Sequence, residues 1–300
     1  TTVPDEQTQR DAVLAAIQSG VKKANARGGT SGAAVWVDGW EGPATAGYAG
    51  AYRLWSTSKP LTAIGVLDRQ TAPDPQVDGA MHDALVKSSN CGQRRMVIEL
   101  QGLSGGIPQA MSAFNGVALK SGITDLTPAQ QGPPTDTSCD SYLQQHGVTD
   151  VQTDTALFGT SEWTTADAAS FGRNLGAGTY GASGARVLEQ LKQPKEVSDD
   201  PGGEDSVKTE LSWGAGNIFP AEWGPAYKSG WGGSDNGAYL AGQVVSLVIH
   251  GVPVGASAVF MPDQQPVDDA IGEGQEDEAL EDIFGQVKTA LNEQLKAGRP

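Results

Sequence analysis

One short motif brings a hydroxyl and an amine together at a spacing that suits nucleophilic chemistry. In WSTSKP, residues 55–60, Ser56 precedes Lys59 by three positions. On a helix this spacing places both side chains on adjacent turns of one face, where the amine can accept the hydroxyl proton. The motif predicts Ser56 as a nucleophile and Lys59, in its neutral form, as its base.

The same spacing occurs a second time, so the motif alone proves little. Ser19 and Lys22 lie near the end of the first predicted helix, whereas Ser56 lies where a strand gives way to a helix. A serine at such a junction is exposed to substrate, and the positive end of the helix dipole stabilises a nearby anion. The context therefore favours Ser56.

Two further motifs lie downstream. For each of them a similar sequence occurs elsewhere in the chain, and that second sequence has an ordinary structural explanation. SSN, residues 88–90, ends a helical segment, and KSG, residues 228–230, lies on a predicted strand. The other KSG, at 120–122, follows a predicted helix, where lysine and then glycine form an ordinary helix ending. The literal SDN at 234–236 lies between two predicted strands and is typical of a turn.

The order Ser-x-x-Lys, Ser-x-Asn, Lys-Ser-Gly resembles the signature of the serine β-lactamase and penicillin-binding protein superfamily. The flanking segments add to the likeness: FPAEWGPAYKSGWGG resembles the third strand of that family, and SEWTTADAASFGRNL resembles the segment after its omega loop. The resemblance covers about residues 10 to 295. It implies a class A β-lactamase-like serine hydrolase.

The resemblance implies a role for each motif residue in the first half of the chain. Ser56 attacks a carbonyl group and becomes acylated, with Lys59 as the nearby base. Ser88 relays a proton to the leaving nitrogen or oxygen. Asn90 binds a substrate amide and orders Lys59.

The resemblance also assigns roles to the Lys-Ser-Gly segment. Lys228 keeps the site positive and, with Ser229, receives a substrate carboxylate, which matters in a chain so acidic overall. Gly230 completes the motif. The backbone N–H groups of Ser56 and Trp231 are expected to form the oxyanion hole.

Departures from the family pattern bear on turnover. The Glu followed by Leu-Asn that positions the deacylating water in class A enzymes is absent, and Asp150, Asp154 and Glu162 are the nearest acids. The segment between the first two motifs is short, and Trp231 is bulky for a position beside a reacting carbonyl. We therefore expect slow deacylation. A second hypothesis stays open, an exported non-catalytic binding protein on the same scaffold.

The composition of the chain indicates which kinds of molecule it can bind. The chain has 300 residues, 38% of them hydrophobic, and a net charge of -16. This charge argues against a nucleic acid or an anionic membrane surface as partner, because binding phosphates needs clustered Lys and Arg. No apolar run is long enough to span a membrane. A monomer acting on a small-molecule or peptidoglycan-like substrate is the expectation.

The cysteines and histidines predict a disulfide rather than a metal site. Cys91 and Cys139 can close one disulfide, which suits an exported protein, and two unpaired thiols are the alternative. The chain begins without Met or an apolar leader, which suggests a removed signal peptide and a secreted or cell-envelope location, or else a sequence trimmed at its start. The three histidines share no ligand spacing, so neither a metal nor a cofactor is predicted.

The surrounding elements predict how the motifs are positioned. Residues 5–26 have the periodicity of an amphipathic helix, residues 33–37 read as a buried strand, and a hairpin leads to a second strand near Tyr48. From Pro60 to about Gln193 helices alternate with polar loops, and the poorly patterned stretch at residues 120–163 is expected to be such a loop. After Leu211 three antiparallel strands precede a terminal helix.

These elements predict an α/β plus all-α architecture of the β-lactamase type. Residues 1–58 and 205–300 form a discontinuous α/β domain, an antiparallel sheet flanked by the terminal helices. Residues 59–204 form the inserted helical domain. The resemblance places the site at the boundary of the two, beneath Ser56.

Overall fold

The structure of the protein is a computed structural model that describes residues 4–132, 137–149, 155–193, 213–233, 239–264 and 269–295, the last range with side chains from 274 onward. Within these residues the α-helices are α1 (Glu6–Asn25), α2 (Lys59–Leu67), α3 (Pro75–Val86), α4 (Asn90–Ser104), α5 (Ile107–Leu119), α6 (Asp140–Gln145), α7 (Thr165–Gly176), α8 (Gly181–Leu191), α9 (Ala215–Ile218) and α10 (Asp269–Gln294). The strands are β1 (Gly29–Val37), β2 (Ala44–Gly47), β3 (Tyr52–Arg53), β4 (Gln130–Gln131), β5 (Ala156–Leu157), β6 (Glu162–Trp163), β7 (Ala226–Gly233), β8 (Tyr239–Ile249) and β9 (Val252–Pro262).

Contacts divide the described residues into two compact units. The first, called here the sheet unit, comprises the described residues within Thr1–Tyr52, Thr164–Thr179 and Ser212–Pro300. The second, the helical unit, comprises those within Arg53–Trp163 and Tyr180–Leu211. The domain boundaries drawn from the sequence stay a prediction, and they differ at α7, which lies in the sheet unit.

The sheet unit is built on a five-stranded antiparallel sheet in the order β2, β1, β9, β8, β7. Strands from the first and last thirds of the chain thus lie side by side, as the sequence predicts. Strand β2 ends at Gly47, whose φ of +82° turns the chain, so Tyr48, near which the second strand is predicted, lies just beyond the observed strand.

The terminal helices α1 and α10 pack on one face of this sheet. Alternate residues of β9 point to that face because side chains alternate along a strand. There Ala256, Ala258 and Phe260 join one buried cluster with Ile17 of α1 and Phe284 of α10. The prediction of an antiparallel sheet flanked by terminal helices is therefore confirmed.

Helix α7 packs on the sheet with unusually close backbone contact. A Cβ built on Gly172 would overlap the Val245 carbonyl oxygen, and one built on Gly255 would overlap the Ala169 carbonyl oxygen. The Ser257 hydroxyl, two residues beyond Gly255, donates to Thr165 O at 2.6 Å. Helix and sheet can approach this closely only because both glycines lack a side chain.

In the helical unit, α2 is the buried centre. Every residue from Lys59 to Val66 is buried, and α2 contacts α3, α4, α5 and α8. Burial also raises the pKa of the Tyr180 phenol, which hydrogen-bonds to Ser121.

The stretch around residues 120–163, expected to be loop, contains the short helix α6. Among the described helices, none has the length and apolarity needed to cross a membrane.

A disulfide joins α4 to α6 in the helical unit. Cys91, in the first turn of α4, bonds to Cys139, which precedes α6, and both are buried. The predicted Cys91 to Cys139 pairing is thus present in the structure. It ties down the residues on either side, including Asn90.

We expect loss of this disulfide to lower the free energy of unfolding by about 4 kcal/mol, since a bridge spanning 48 residues restricts the unfolded chain. Chemical denaturation of the wild type, the C91S/C139S double variant and the reduced wild type provides the measurement. Denaturation midpoints of the double variant and of the reduced wild type that both equal the wild-type midpoint would contradict the expectation.

We expect Gly172→Ala to lower the free energy of unfolding by about 1–3 kcal/mol, because the added methyl group overlaps the backbone of β8. Gly285→Ala in α10 is the matched control, since a Cβ there meets no atom within 4 Å. It should stabilise the protein by up to about 1 kcal/mol through helix propensity. Thermal and denaturant unfolding measure the change in the free energy of unfolding for each variant. Equal changes in the two variants would refute the packing argument.

Candidate active site

Ser56 lies on a short 3-10 helix, Trp55–Ser58, that leads directly into α2. The turn is held by Thr57 N–H, which donates to Leu54 O at 2.9 Å, and by Lys59 N–H, which donates to Ser56 O. The Ser56 side chain is half-buried, and within the described residues its hydroxyl forms no hydrogen bond. In this part of the chain, no protein group therefore occupies its oxygen.

Trp55, which precedes the candidate nucleophile, has a strained backbone. Its φ of +45° lies in the left-handed region, which bulky residues rarely adopt and which costs of the order of 1–3 kcal/mol. Gly159 leaves room for this backbone, since a Cβ there would lie 3.2 Å from both Trp55 Cα and Trp55 O. The Arg53 guanidinium lies 5.4 Å from the Trp55 ring centroid. Such strain is typical of functional sites.

Lys59 is deeply buried, with 2% of its surface exposed. Its Nζ donates to the Ser88 carbonyl oxygen, lies 3.1 Å from Asn90 Oδ1, and lies 3.4 Å from Ser88 Oγ. A buried ammonium group requires such oxygen partners, because removing its charge from water is costly. The structure thus brings together Lys59, Ser88 and Asn90, called here the Lys59 cluster.

The Lys59 cluster differs in one respect from the arrangement expected from sequence. Within the described residues no hydrogen bond joins Lys59 Nζ to Ser56 Oγ, although their spacing predicts that the two groups lie close enough for proton transfer. The physical reason is burial: the amine at the start of α2 turns toward the carbonyl and amide oxygens at the start of α4. Both contacts link residues about thirty positions apart, which helix spacing does not encode.

The turn that carries Ser88 is built to present these oxygens. Ser88 has a φ of +55°, a conformation uncommon for a residue with a side chain. Ser89 N–H donates to Asp83 O at 3.0 Å, and Ser89 Oγ accepts the Gly92 N–H at 2.7 Å, which caps α4. Asn90 is then the first residue of α4, directly before the disulfide-bonded Cys91.

Lys228 and Ser229 lie on β7 in the sheet unit, with 3% and 8% of their surfaces exposed. Lys228 Nζ donates to Ser229 O at 3.1 Å. The Ser229 hydroxyl accepts a hydrogen bond of 2.8 Å from Gln243 Nε2 on β8. An amine and a hydroxyl group, both of which can donate hydrogen bonds, therefore occur on adjacent residues of this strand.

Gly230 and Trp231 continue the same strand. Gly230 lies opposite Gly242, and Trp231 lies opposite Ala241. The Trp231 ring is half-buried against the hydrophobic core of the sheet unit, with its centroid 5.5 Å from that of Tyr239. The bulk of Trp231 is thus accommodated by contact with another aromatic ring.

Gln243 is a residue that sequence reasoning missed. It lies in the apolar run GAYLAGQVVSLVIHG and is 1% exposed. A polar side chain in the middle of such a run was the available signal, because a buried amide must find partners. Its bonds to Ser229 and to the chain around Trp213 place it beside the Lys-Ser-Gly motif.

The remaining candidates are less informative. Glu162 lies on β6, half-buried, and its backbone N–H donates to Thr127 Oγ1. Asp150, Asp154 and the SDN at 234–236 lie outside the described residues. Lys120 of the other KSG is the C-cap of α5, with Gly122 at a φ of +75° just beyond it, as in an ordinary helix ending. The described residues contain no group of three potential metal ligands.

Comparison with known proteins identifies the fold. No protein-family model and no curated protein sequence matches the chain. Solved structures do: a class A β-lactamase from Bacteroides cellulosilyticus DSM 14838 is 14% identical with a TM-score of 0.57, covering 94% of this chain and 99% of that one. A β-lactamase from Sphaerobacter thermophilus DSM 20745 is 17% identical with a TM-score of 0.57, over 95% and 99%.

A third similar structure is L2 complexed with relebactam, at 14% identity and a TM-score of 0.59, covering 95% of this chain and 99% of that one. Identities this low establish the fold and not the activity. The similarity nevertheless extends over almost the whole length of each chain. The protein has the serine β-lactamase-like fold.

Proposed function

We propose that the protein is a serine acyl-enzyme hydrolase that acts on a carboxylate-bearing amide or ester, β-lactam-like or related to peptidoglycan. The observation that carries the proposal is the Lys59 cluster, in which a buried amine contacts both polar residues of the Ser-x-Asn motif. These residues are far apart in sequence, so their convergence supports a shared role. The β-lactamases with the same fold add support at the level of the scaffold.

In this proposal Ser56 Oγ attacks the substrate carbonyl, and its proton passes to the amine of Lys59 in its neutral form. The carbonyl carbon forms an ester with Ser56, and its bond to the leaving nitrogen or oxygen breaks. Ser88, whose hydroxyl lies 3.4 Å from Lys59 Nζ, delivers the proton to that leaving group. Strain at Trp55 supports the role of Ser56, since the turn is maintained at a conformational cost.

The other motif residues recognise the substrate. Asn90 binds a substrate amide while its own amide oxygen orders Lys59. Lys228 and Ser229 receive the substrate carboxylate, and Gly230 allows the substrate backbone to approach the strand. The N–H groups of Ser56 and Trp231 stabilise the oxyanion.

The proposal extends to the cellular location and the oligomeric state of the protein. We propose that the protein functions outside the cytoplasm, secreted or in the cell envelope, as a monomer. The Cys91–Cys139 disulfide supports this location, because such bonds persist in oxidising compartments. The excess of acidic residues supports a small-molecule or glycan-peptide substrate over a nucleic acid.

A non-catalytic binding protein is the second candidate function, and one observation favours it. Lys59 Nζ is engaged by Ser88 and Asn90 rather than by Ser56. An amine held in this way stabilises the turn before α4, whether or not a proton is ever transferred. This candidate predicts reversible binding without a covalent adduct.

We expect a fluorescent penicillin, or an activated ester bearing a carboxylate, to label the wild type covalently and to leave Ser56→Ala unlabelled, because the adduct forms on the Ser56 oxygen. Gel fluorescence and intact-mass spectrometry measure the label. Ser19→Ala, in the exposed Ser-x-x-Lys of α1, is the matched control and should label like the wild type. Equal labelling of the wild type and Ser56→Ala would exclude the catalytic proposal.

We expect acylation to exceed deacylation by at least about tenfold, since the Glu-Leu-Asn pattern that positions the hydrolytic water is absent. Rapid mixing with a chromogenic β-lactam should therefore show a burst of one equivalent followed by slow turnover. Intact mass should show the adduct during the slow phase. Steady-state turnover as fast as the burst would contradict this expectation.

A further inference from the structure

Gln243 is a buried amide that lies directly across the sheet from Ser229. The two residues are cross-strand partners in the register of β7 and β8. The Gln243 amide contacts three groups, the Ser229 Oγ at 2.8 Å, the Trp213 carbonyl oxygen at 2.9 Å and the Ala215 N–H at 2.9 Å. These contacts lie wholly within the sheet unit.

The three partners determine which way the Gln243 amide faces. The Ala215 N–H can only donate, so the atom it contacts is the amide oxygen, and the Trp213 carbonyl can only accept, so it receives a hydrogen from Nε2. The second hydrogen of Nε2 then points at Ser229 Oγ, which accepts it. Among the described residues, Gln243 is the hydrogen-bond partner of this hydroxyl. A hydroxyl that accepts in this way directs its own hydrogen to another acceptor.

We propose that Gln243 is a positioning residue that holds the Ser229 hydroxyl as a donor toward an anionic group of the ligand, a carboxylate. The inference rests on the proposed role of Ser229 in substrate recognition. Lys228 adds positive charge on the same strand, with its Nζ 3.1 Å from the Ser229 carbonyl oxygen. If the Gln243 amide were absent, the hydroxyl could rotate and its preference for an acceptor would be lost.

The chain near α9 is shaped around the Gln243 amide. Gly214, between Trp213 and Ala215, has a φ of +60°, and a Cβ there would lie 2.9 Å from Gln243 Cδ and 3.0 Å from Nε2. The Gly214 N–H donates to Asp277 Oδ1 at 2.7 Å, which anchors this segment to α10. A side chain at position 214 would therefore displace the amide without contacting Ser229.

The test measures binding rather than catalysis, with Ser56→Ala as the parent protein. Calorimetric titration gives the Kd for benzylpenicillin and for its methyl ester, which lacks the negative charge. We expect the parent to bind the carboxylate form about tenfold or more tightly than the ester, the range of a hydrogen bond to a charged group. Gln243→Met should reduce that preference to the level of Ser229→Ala, and adding Gln243→Met to Ser229→Ala should cause no further loss.

Ser229→Thr is the matched control, because it keeps a hydroxyl group and should keep the preference. Equal weakening of both compounds by Gln243→Met, additive losses in the double variant, or no preference in the parent would each overturn the inference. If circular dichroism shows that Gln243→Met does not fold, Gly214→Ala replaces it with the same expected result. Failure of the proposed function appears separately, either as labelling that does not depend on Ser56 or as no covalent labelling of the wild type.

Discussion

The burial of the Lys59 amine is the constraint on which the candidate site depends. Lys59 is 2% exposed at the start of a helix that is buried from Lys59 to Val66, and an unpaired charge there would cost several kcal/mol. Its partners are the carbonyl oxygen of Ser88 and the amide oxygen of Asn90. The turn between α3 and α4 must therefore present both oxygens to α2, whatever reaction the site performs.

The local structure around that turn follows from this requirement. Ser88 adopts a left-handed φ, Ser89 caps α4, and Cys91 in the next turn is bonded to Cys139. Each feature restricts the backbone that carries the acceptors of Lys59. The strained backbone of Trp55, directly before Ser56, likewise restricts the backbone that carries Ser56. A rigid backbone of this kind lowers the cost of ordering a site when the ligand binds.

The sheet unit satisfies its buried polar residues in a different way. Lys228 and Ser229 lie on a strand among apolar neighbours, and Gln243 on the next strand provides a donor for the Ser229 hydroxyl. Gln243 itself is satisfied by the backbone at Trp213 and Ala215. In the carboxylate recognition proposed here, a residue outside the three motifs therefore positions the Ser229 hydroxyl. The three motifs therefore do not include every side chain that the proposed site uses.

The sequence alone determined the order and type of the main elements, since apolar periodicity reports which face of each helix or strand is buried. It predicted the sheet formed from both ends of the chain, the helices between, and the pairing of Cys91 with Cys139. It also identified Ser56, Lys59 and the two other motifs as candidates, although their roles remain proposals. The short helix α6 escaped prediction because its signal is only one or two turns long.

Only the tertiary structure decided which atoms meet. The spacing of Ser56 and Lys59 predicts that their side chains share one helix face, but it does not predict that Lys59 binds Ser88 and Asn90, about thirty residues further along the chain. Gln243 likewise meets Ser229 through strand register, fourteen residues away. Local spacing encodes neighbours on one helix or strand, whereas the partner of a buried polar group depends on how separate elements pack together.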